Sequence, residues 1–285
     1  MKSKAAPLSS HGKPTRGTPG LLGVSGLPIV YFNMPKAACT TIKNILFFLQ
    51  HKRWHPEPLG IHREIKTDAV LLRGAELDRQ RADNTEVGGC FAFTFVRDPG
   101  HRAYSAFVEK IWATGPYSFP RIRKHMRQHY DFSLDPLGSD KAGSPLDTRE
   151  SVGLGFKQFL HFAHDNLAGR TPFTPNPHWA SQLLRIRQLP LGEALSLIGR
   201  VESFAEDMAF VLRKAGCQNM DILQKRFNEG PPPPFKFNDV LDEQARSLLM
   251  NLYQHDYHAF GYRLPQPTGE NASQKNSVIT ADQPK

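Results

Sequence analysis

Twice along the chain a short apolar run is followed at once by helical spacing. The run Pro28 to Phe32 is apolar and β-branched, the pattern of a buried strand. Pro35 then stops pairing, and Lys36 leads into the small or hydroxyl-bearing residues Ala37 to Thr41. From Ile42 the apolar positions fall at Ile42, Ile45, Leu46 and Leu49, with Lys43, Asn44 and Gln50 between them, which predicts an amphipathic helix. The order returns further on. Cys90 to Val96 is a second buried strand rich in Phe, Arg97-Asp98-Pro99 ends it, and His101 to Trp112 continue as a helix with Ala103, Phe107 and Ile111 on one side.

Between these units, Pro56, Pro58 and Gly60 make an irregular segment, Ala69 to Leu72 is a strand or part of a helix, and Ala75 to Arg81 reads as helix. Gly115 to Gly155 is the least regular part of the interior. Helical spacing resumes at Phe156 to Phe162, another helix opens at Asn176 to Gln182, and Leu197 to Val201 is a short strand. Ser203 and Glu206 have the spacing of a capping box for a helix through Met208, Val211 and Leu212 that stops at Gly216. Pro231 to Pro234 form a stiff linker, and Val240 to Phe260 a long amphipathic helix. Strands alternating with helices predict an α/β fold with a central parallel sheet flanked by helices.

A chain of 285 residues holds one large α/β domain or two small ones. Its formal charge of +9 suits an anionic ligand without demanding nucleic acid. Nearly half of that excess sits in residues 1–26, where Lys2, Lys4, Lys13 and Arg16 stand among Gly, Pro and Ser with no acid; this leader and residues 264–285 read as disordered. Cys39, Cys90 and Cys217 are far apart and form no CxxC pair, which argues against a disulfide framework or a zinc site and for a reducing compartment. No apolar run reaches the roughly 18 residues of a membrane span, and no secretory signal is visible, so the expectation is cytoplasmic. The sequon Asn271-Ala272-Ser273 lies in the polar tail and would matter only in a secreted protein.

The first strand-loop-helix unit has the makings of an anion cradle. A helix N-terminus leaves backbone N–H groups unpaired and carries a partial positive charge. Lys36 adds a full charge, and Thr40 and Thr41 add hydroxyls. The loop is not a Walker A motif: it has no glycine between Pro28 and His51, and its lysine precedes the turn. Taken alone, an ordinary strand-to-helix turn capped by a threonine fits as well. Likewise Arg97 and Ser105 can face the crevice where open α/β sheets bind ligands, or they are a local ion-pair partner and a buried hydroxyl. The basic run Arg121, Arg123, Lys124 and Arg127 is a solvated helix face or the mouth of a site for a negatively charged acceptor. His62, flanked by Ile61 and Arg63, has the ordinary reading of a structural or exposed histidine.

Considered together, the segments resemble the sulfotransferases that use 3′-phosphoadenosine 5′-phosphosulfate (PAPS). Pro35-Lys36-Ala37-Ala38-Cys39-Thr40-Thr41-Ile42-Lys43-Asn44 resembles their 5′-phosphosulfate loop, and the stretch from Phe93 to Phe107 resembles their 3′-phosphate segment, RDPxxRxxSxF. His178-Trp179-Ala180-Ser181-Gln182 is similar to the HWxPQ of the chondroitin and dermatan 4-O type and their bacterial relatives. Ile198 to Asp207 is similar to that group's IGKFETLEED, and Tyr253 to Tyr262 to its YxxDFxxFxY. The resemblance covers Leu27 to Arg263. Ala180 replaces the motif's proline, and the cysteines that follow it in the Golgi enzymes are absent.

The resemblance implies a P-loop-like three-layer sandwich over 27–263 and sulfuryl transfer from PAPS, releasing PAP, to the hydroxyl of an acceptor, a carbohydrate, with no metal required. It implies that Lys36 and the amides of Ala37, Ala38, Cys39, Thr40 and Thr41 hold the 5′-phosphosulfate, and that Arg97 and Ser105 bind the 3′-phosphate. It also implies a histidine or glutamate base between the two phosphate segments. His62 is the expected base, with His55, Glu57 and Glu64 as competitors, and His178 is expected to pack or to face the acceptor. Cys39 is expected to be a small loop residue, since direct transfer needs no covalent intermediate. A nucleotide-dependent kinase would need magnesium ligands and a different loop. A non-catalytic nucleotide- or glycan-binding protein would keep the fold and lose the base. A nucleic-acid binder would show a recognised motif, and none is present.

Overall fold

The structure, a computed structural model, describes residues 20–62, 72–73, 90–137, 148–189, 195–225, 227, 233 and 235–264. Its elements begin with β1 (Leu21–Gly23), β2 (Ile29–Phe32), α1 (Cys39–His51), β3 (Leu72–Arg73) and β4 (Phe91–Val96). There follow α2 (Pro99–Ala106), which continues as a π-helical turn over Phe107–Trp112, then α3 (Pro120–His129) and α4 (Arg149–Leu167). The chain closes with α5 (Gln182–Arg187), β5 (Leu197–Arg200), α6 (Phe204–Lys214) and α7 (Glu243–Phe260). Two compact units result, Met1–Asp98 with Asn176–Pro232, and Pro99–Pro175 with Pro233–Lys285.

The first unit is an α/β sandwich on a five-stranded sheet of order β3-β1-β2-β4-β5. Strands β2, β4 and β5 are parallel, with Val30 opposite Ala92 and Phe95 opposite Gly199. The sheet is not parallel throughout, because β1 pairs antiparallel with both β2 and β3. Such an antiparallel edge on a parallel sheet is common in doubly wound folds. On one face Leu22, Ile29, Tyr31, Phe93 and Phe95 pack against Ile42, Ile45 and Leu46 of α1 and Met208, Val211 and Leu212 of α6. Leu21, Val30 and Phe32 on the other face pack with Met34, Ala37 and the partly buried Ile186 of α5. Full burial of each such side chain contributes about 1.5–3 kcal/mol.

Gly199 lets α6 lie against this sheet: a Cβ there would come within 2.8 Å of Phe95 and 3.1 Å of the Asp207 Cβ. The second unit is helical around an aromatic core. Phe107 stacks near Trp112 with ring centroids 5.9 Å apart and meets Phe156 and Phe159 at 5.6 and 5.8 Å. Trp112 Nε1 donates to the Asp135 carbonyl at 3.1 Å. Within α3, Arg123 is buried and its guanidinium donates to the carbonyls of Ile111 and Ala113.

Several expectations change. Residues 21–23, inside the stretch read as a disordered leader, form β1, because Leu21 and Leu22 bury their side chains on opposite faces of the sheet. The capping box at Ser203 does not form; residues 201–203 make a 3-10 turn, and Ser203 Oγ donates to Asp207 Oδ2 at 2.7 Å instead. A capping box does close α4, where Thr148 and Ser151 exchange side-chain to backbone bonds of 3.1 and 2.9 Å. Gly216 follows α6 with φ +73, as expected of a helix stop. The helix expected at Ala75 to Arg81, most of Ala69 to Leu72, residues 1–19 and 265–285 lie outside the described residues.

Candidate active site

Strands β2 and β4 are parallel neighbours, so the turn after Phe32 and the turn after Val96 emerge at the same end of the sheet. That is the end where open α/β sheets take ligands. The turn over residues 33–38 is tightly wound. Asn33 N–H donates to the Gly20 carbonyl at 2.8 Å, Met34 N–H to Tyr31 Oη at 3.3 Å and Ala37 N–H to the Met34 carbonyl at 3.3 Å. Lys36 and Ala38 have φ of +66 and +56, left-handed conformations that L residues adopt at a cost of about 1–2 kcal/mol each. Backbone strain concentrated in one loop is a mark of a functional turn.

Ala38 is the N-cap of α1 and makes no side-chain cap bond, and the first turn holds no acid. The first amides of the helix, from Cys39 onward, therefore point out of the N-terminus with the positive end of the helix dipole and no internal carboxylate to neutralise it. Cys39 is the first helical residue and is partly buried. Burial raises the Tyr31 phenol well above its ordinary range, with Cys39 adding to the effect and the Met34 amide and Arg185 opposing it.

One face of α1 is buried but polar: Thr40, Thr41, Lys43 and Asn44 are all closed off from solvent. Thr40 Oγ1 lies 2.9 Å from His62 Nε2, and Lys43 Nζ lies 3.0 Å from His62 Nδ1. Asn44 Nδ2 donates to the carbonyls of Thr40 and Pro58 at 2.9 and 3.0 Å, tying the segment that carries His62 to the helix. Thr41 Oγ1 donates to the Phe227 carbonyl at 3.4 Å. An ammonium group only donates. With Lys43 donating, His62 Nδ1 accepts and the ring proton sits on Nε2, facing Thr40. Of the other candidates, His55 is buried, accepts the Glu57 amide at Nδ1 (3.0 Å) and packs edge-on to Phe47 at 5.0 Å, a structural placement. Glu57 is exposed, and Glu64 lies outside the described residues.

Arg97 follows β4 directly. Its N–H donates to Gln182 Oε1 at 3.0 Å, and its carbonyl accepts from Gln182 Nε2 at 2.9 Å, so one buried glutamine side chain grips both backbone groups. The next amide, Asp98 N–H, donates to Glu202 Oε1 at 2.9 Å. Gln182 opens α5, where Ser181 Oγ caps the helix by accepting the Leu184 amide at 3.2 Å. One turn on, the Arg185 guanidinium lies 5.6 Å from the Phe32 ring centroid, and burial lowers its pKa against the opposing Tyr31. His178 turns its N–H and Nδ1 to Asn176 Oδ1 at 3.0 and 2.7 Å. Ser105 is partly buried on α2, in the second unit. Arg102 is buried in that unit, electrostatically coupled to Tyr253 together with the buried Asp256. Among the described residues no three His, Cys, Asp or Glu side chains gather as a metal site would require.

Lys43, Gln182 and Glu202 are the members that periodicity alone does not single out. All three stand inside segments that carry the resemblance, Lys43 in Pro35 to Asn44 and the last two in the HWxPQ-like and IGKFETLEED-like stretches, so the motif signal was present without its physical reason. The amino-acid pattern of the sulfotransferase family matches residues 27–263, which include the strained loop, His62, Arg97, Gln182 and Glu202.

The chain belongs to the sulfotransferase family.

Among its relatives, carbohydrate sulfotransferase 11 of Rattus norvegicus is 22% identical over 242 residues, covering 83% of this chain and 65% of the relative. Carbohydrate sulfotransferase 9 of Homo sapiens is 25% identical over 265 residues, covering 83% and 52%. Carbohydrate sulfotransferase 12 of Mus musculus is 25% identical over 266 residues, covering 84% and 58%. The sulfotransferase-family chain thus spans between about half and two thirds of the length of these relatives. No solved structure matches it.

Proposed function

We propose that this chain transfers the sulfuryl group of PAPS to a hydroxyl of a carbohydrate by direct in-line displacement. The observation that carries the reading is the uncapped, acid-free N-terminus of α1 behind Lys36, at the strand end shared with Arg97. The family match supports the donor, and the carbohydrate sulfotransferases among the relatives support the acceptor class.

In this reading the acceptor hydroxyl oxygen forms a bond to sulfur and gives up its proton to solvent, while the bond from sulfur to the 5′-phosphate oxygen breaks and PAP leaves. Charge builds on that bridging oxygen, so preorganised donors there lower the barrier. Lys36 and the amides of Ala38 to Thr41 hold the phosphosulfate, with the Thr40 and Thr41 hydroxyls beside them; the expected amide of Ala37 instead donates to the Met34 carbonyl. Arg97 binds the 3′-phosphate, its backbone fixed by Gln182; Ser105 keeps its assignment from the RDPxxRxxSxF segment alone. His62 was the expected base, yet both its ring nitrogens are engaged by Lys43 and Thr40. That geometry suits the leaving-group side better than the acceptor hydroxyl. Three free cysteines support a reducing compartment.

Incubation with sulfur-labelled PAPS and a panel of glycans, lipids and small alcohols tests the reading. Label is expected on a glycan. Label recovered only on a lipid or a small alcohol would overturn the acceptor class, and a protein that moved label to nothing in the panel while failing to bind PAP would overturn the activity.

A further inference from the structure

Lys43 is out of character with its position. It is 7% exposed on a helix whose neighbouring buried positions are apolar, threonine or asparagine, and a buried ammonium is costly unless its protons find acceptors. One acceptor is His62 Nδ1 at 3.0 Å, and the far side of the same ring meets Thr40 Oγ1 at 2.9 Å. Thr40 is the second residue of the helix whose N-terminal amides take the phosphosulfate in the reading above, and the ligand side of this inference rests on that reading.

We propose that Lys43 and His62 form a donor relay that sets the direction of the Thr40 hydroxyl. Lys43 donates to Nδ1, which leaves the imidazole proton on Nε2, and Nε2–H donates to Thr40 Oγ1. The reverse wiring, with Thr40 donating to Nε2, would need a proton on Nδ1 facing the Lys43 ammonium, donor against donor. A threonine hydroxyl has one proton and two lone pairs. With a lone pair taken by the ring, its proton turns away from the ring and is available to the bridging and sulfuryl oxygens at the helix N-terminus. Thr40 touches the ligand; Lys43 and His62 are positioning residues that act through it. Asn44 supports the arrangement by bonding both the Thr40 and the Pro58 carbonyls. The relay places His62 on the leaving-group side of the transfer, as a donor rather than a proton acceptor.

Two variants of His62 separate these roles. His62→Gln keeps a side-chain N–H donor near the position of Nε2 but cannot accept a proton, whereas His62→Ala removes both properties. The relay predicts that His62→Ala loses about a hundredfold in kcat, the scale of one lost preorganised donor. His62→Gln stays within about tenfold of the wild type and keeps the acid limb of the kcat against pH profile. Equal loss in both variants, with the acid limb abolished, would overturn the relay in favour of a base. The tautomer is a readout independent of turnover. In histidine-labelled protein, the nitrogen-15 resonances assigned by their loss in His62→Gln are expected to show a single Nε2–H tautomer, mixed in Lys43→Met. An Nδ1–H tautomer in the wild type would overturn the proposal. If the wild type neither binds PAP nor transfers sulfuryl, the sulfotransferase reading fails, while the tautomer still decides the Lys43 to His62 link.

Discussion

An alanine at the N-cap of α1 cannot supply the side-chain cap that serine or aspartate would give its first amides. The same position has a left-handed backbone, as has Lys36, so the turn gives up helix stability to keep its donors outward. The contrast within the chain is α7, which begins with a conventional cap. Asp242 accepts the Ala245 amide at 2.8 Å and pairs with Lys157. Burial pushes the Asp242 carboxyl up, but the bonds from Lys157 and from backbone amides outweigh it and hold the group below its usual value. A carboxyl depressed in the folded state stabilises the fold above its unfolded pKa of about 3.9 and gives that stability up as pH falls through the folded value. Asp242→Ala is therefore expected to cost about 1 kcal/mol at pH 7, mostly from the lost cap because the partly exposed ion pair counts for little. Urea melts should show the gap from the wild type narrowing as pH falls below the unfolded pKa of about 3.9 and through the lower folded value. A gap of the same size at neutral and acid pH would contradict this account.

Among single residues, the place of Lys36 ahead of a helix start is a local pattern that the sequence carries; its left-handed backbone is not. The place of His62 after the first helix and before the second long strand is visible in the sequence, and the fold brings it to Thr40, but its bonding to Lys43 is not. Lys43 looked like an ordinary polar position of an amphipathic helix, since periodicity says which face a residue takes and not which partner waits there.

Elements explain why separate motifs travel together. The helix α5 places Gln182 so that one side chain holds the N–H and the carbonyl of Arg97, and the turn after β5 supplies Glu202 to the Asp98 amide. The HWxPQ-like segment is thus a clamp on the Arg97-Asp98 turn. Similarly, Arg102 of the RDPxxRxxSxF segment is buried near Tyr253 and Asp256 of the terminal motif, inside the second unit. Gln182→Ala removes the side chain that bonds both part-buried backbone groups of Arg97, so denaturant unfolding should show a loss of about 2 kcal/mol. PAP affinity is expected to fall with it through the loosened Arg97. Unchanged stability together with unchanged PAP affinity would rule out the clamp.

Strand and helix existence was readable from periodicity at β2, α1, β4, α4 and α6. The misses have local causes. Strand β1 is three residues in Gly- and Pro-rich company and is defined only by its partners β2 and β3. The helix through Trp112 changes to π geometry at Phe107, where the ring packs among Trp112, Phe156 and Phe159. In α7 the helical backbone is interrupted at Tyr253, with φ −131. Tertiary packing set these details, and spacing along the chain carries no record of it.

At the scale of the molecule, the chain passes between its two units after Asp98, Pro175 and Pro232. The first crossing follows the Arg97-Asp98 turn, and the last falls within the proline run read as a linker. The net charge of +9 and the basic face of α3 are consistent with anionic ligands, although Arg123 there is committed to backbone carbonyls. What separates PAPS from other nucleotides is the 3′-phosphate, and in the proposed function Arg97 would be that group's cation while Lys36 and α1 would take the 5′ side. The most direct test is calorimetric titration of the full chain, and of its Lys36→Ala variant, with PAP, AMP and magnesium-ATP. The account predicts that the wild type prefers PAP over AMP and over magnesium-ATP by at least about a hundredfold, roughly two charge-assisted contacts, and that Lys36→Ala weakens PAP binding. Equal affinity for PAP and AMP, or a preference for magnesium-ATP, would contradict it.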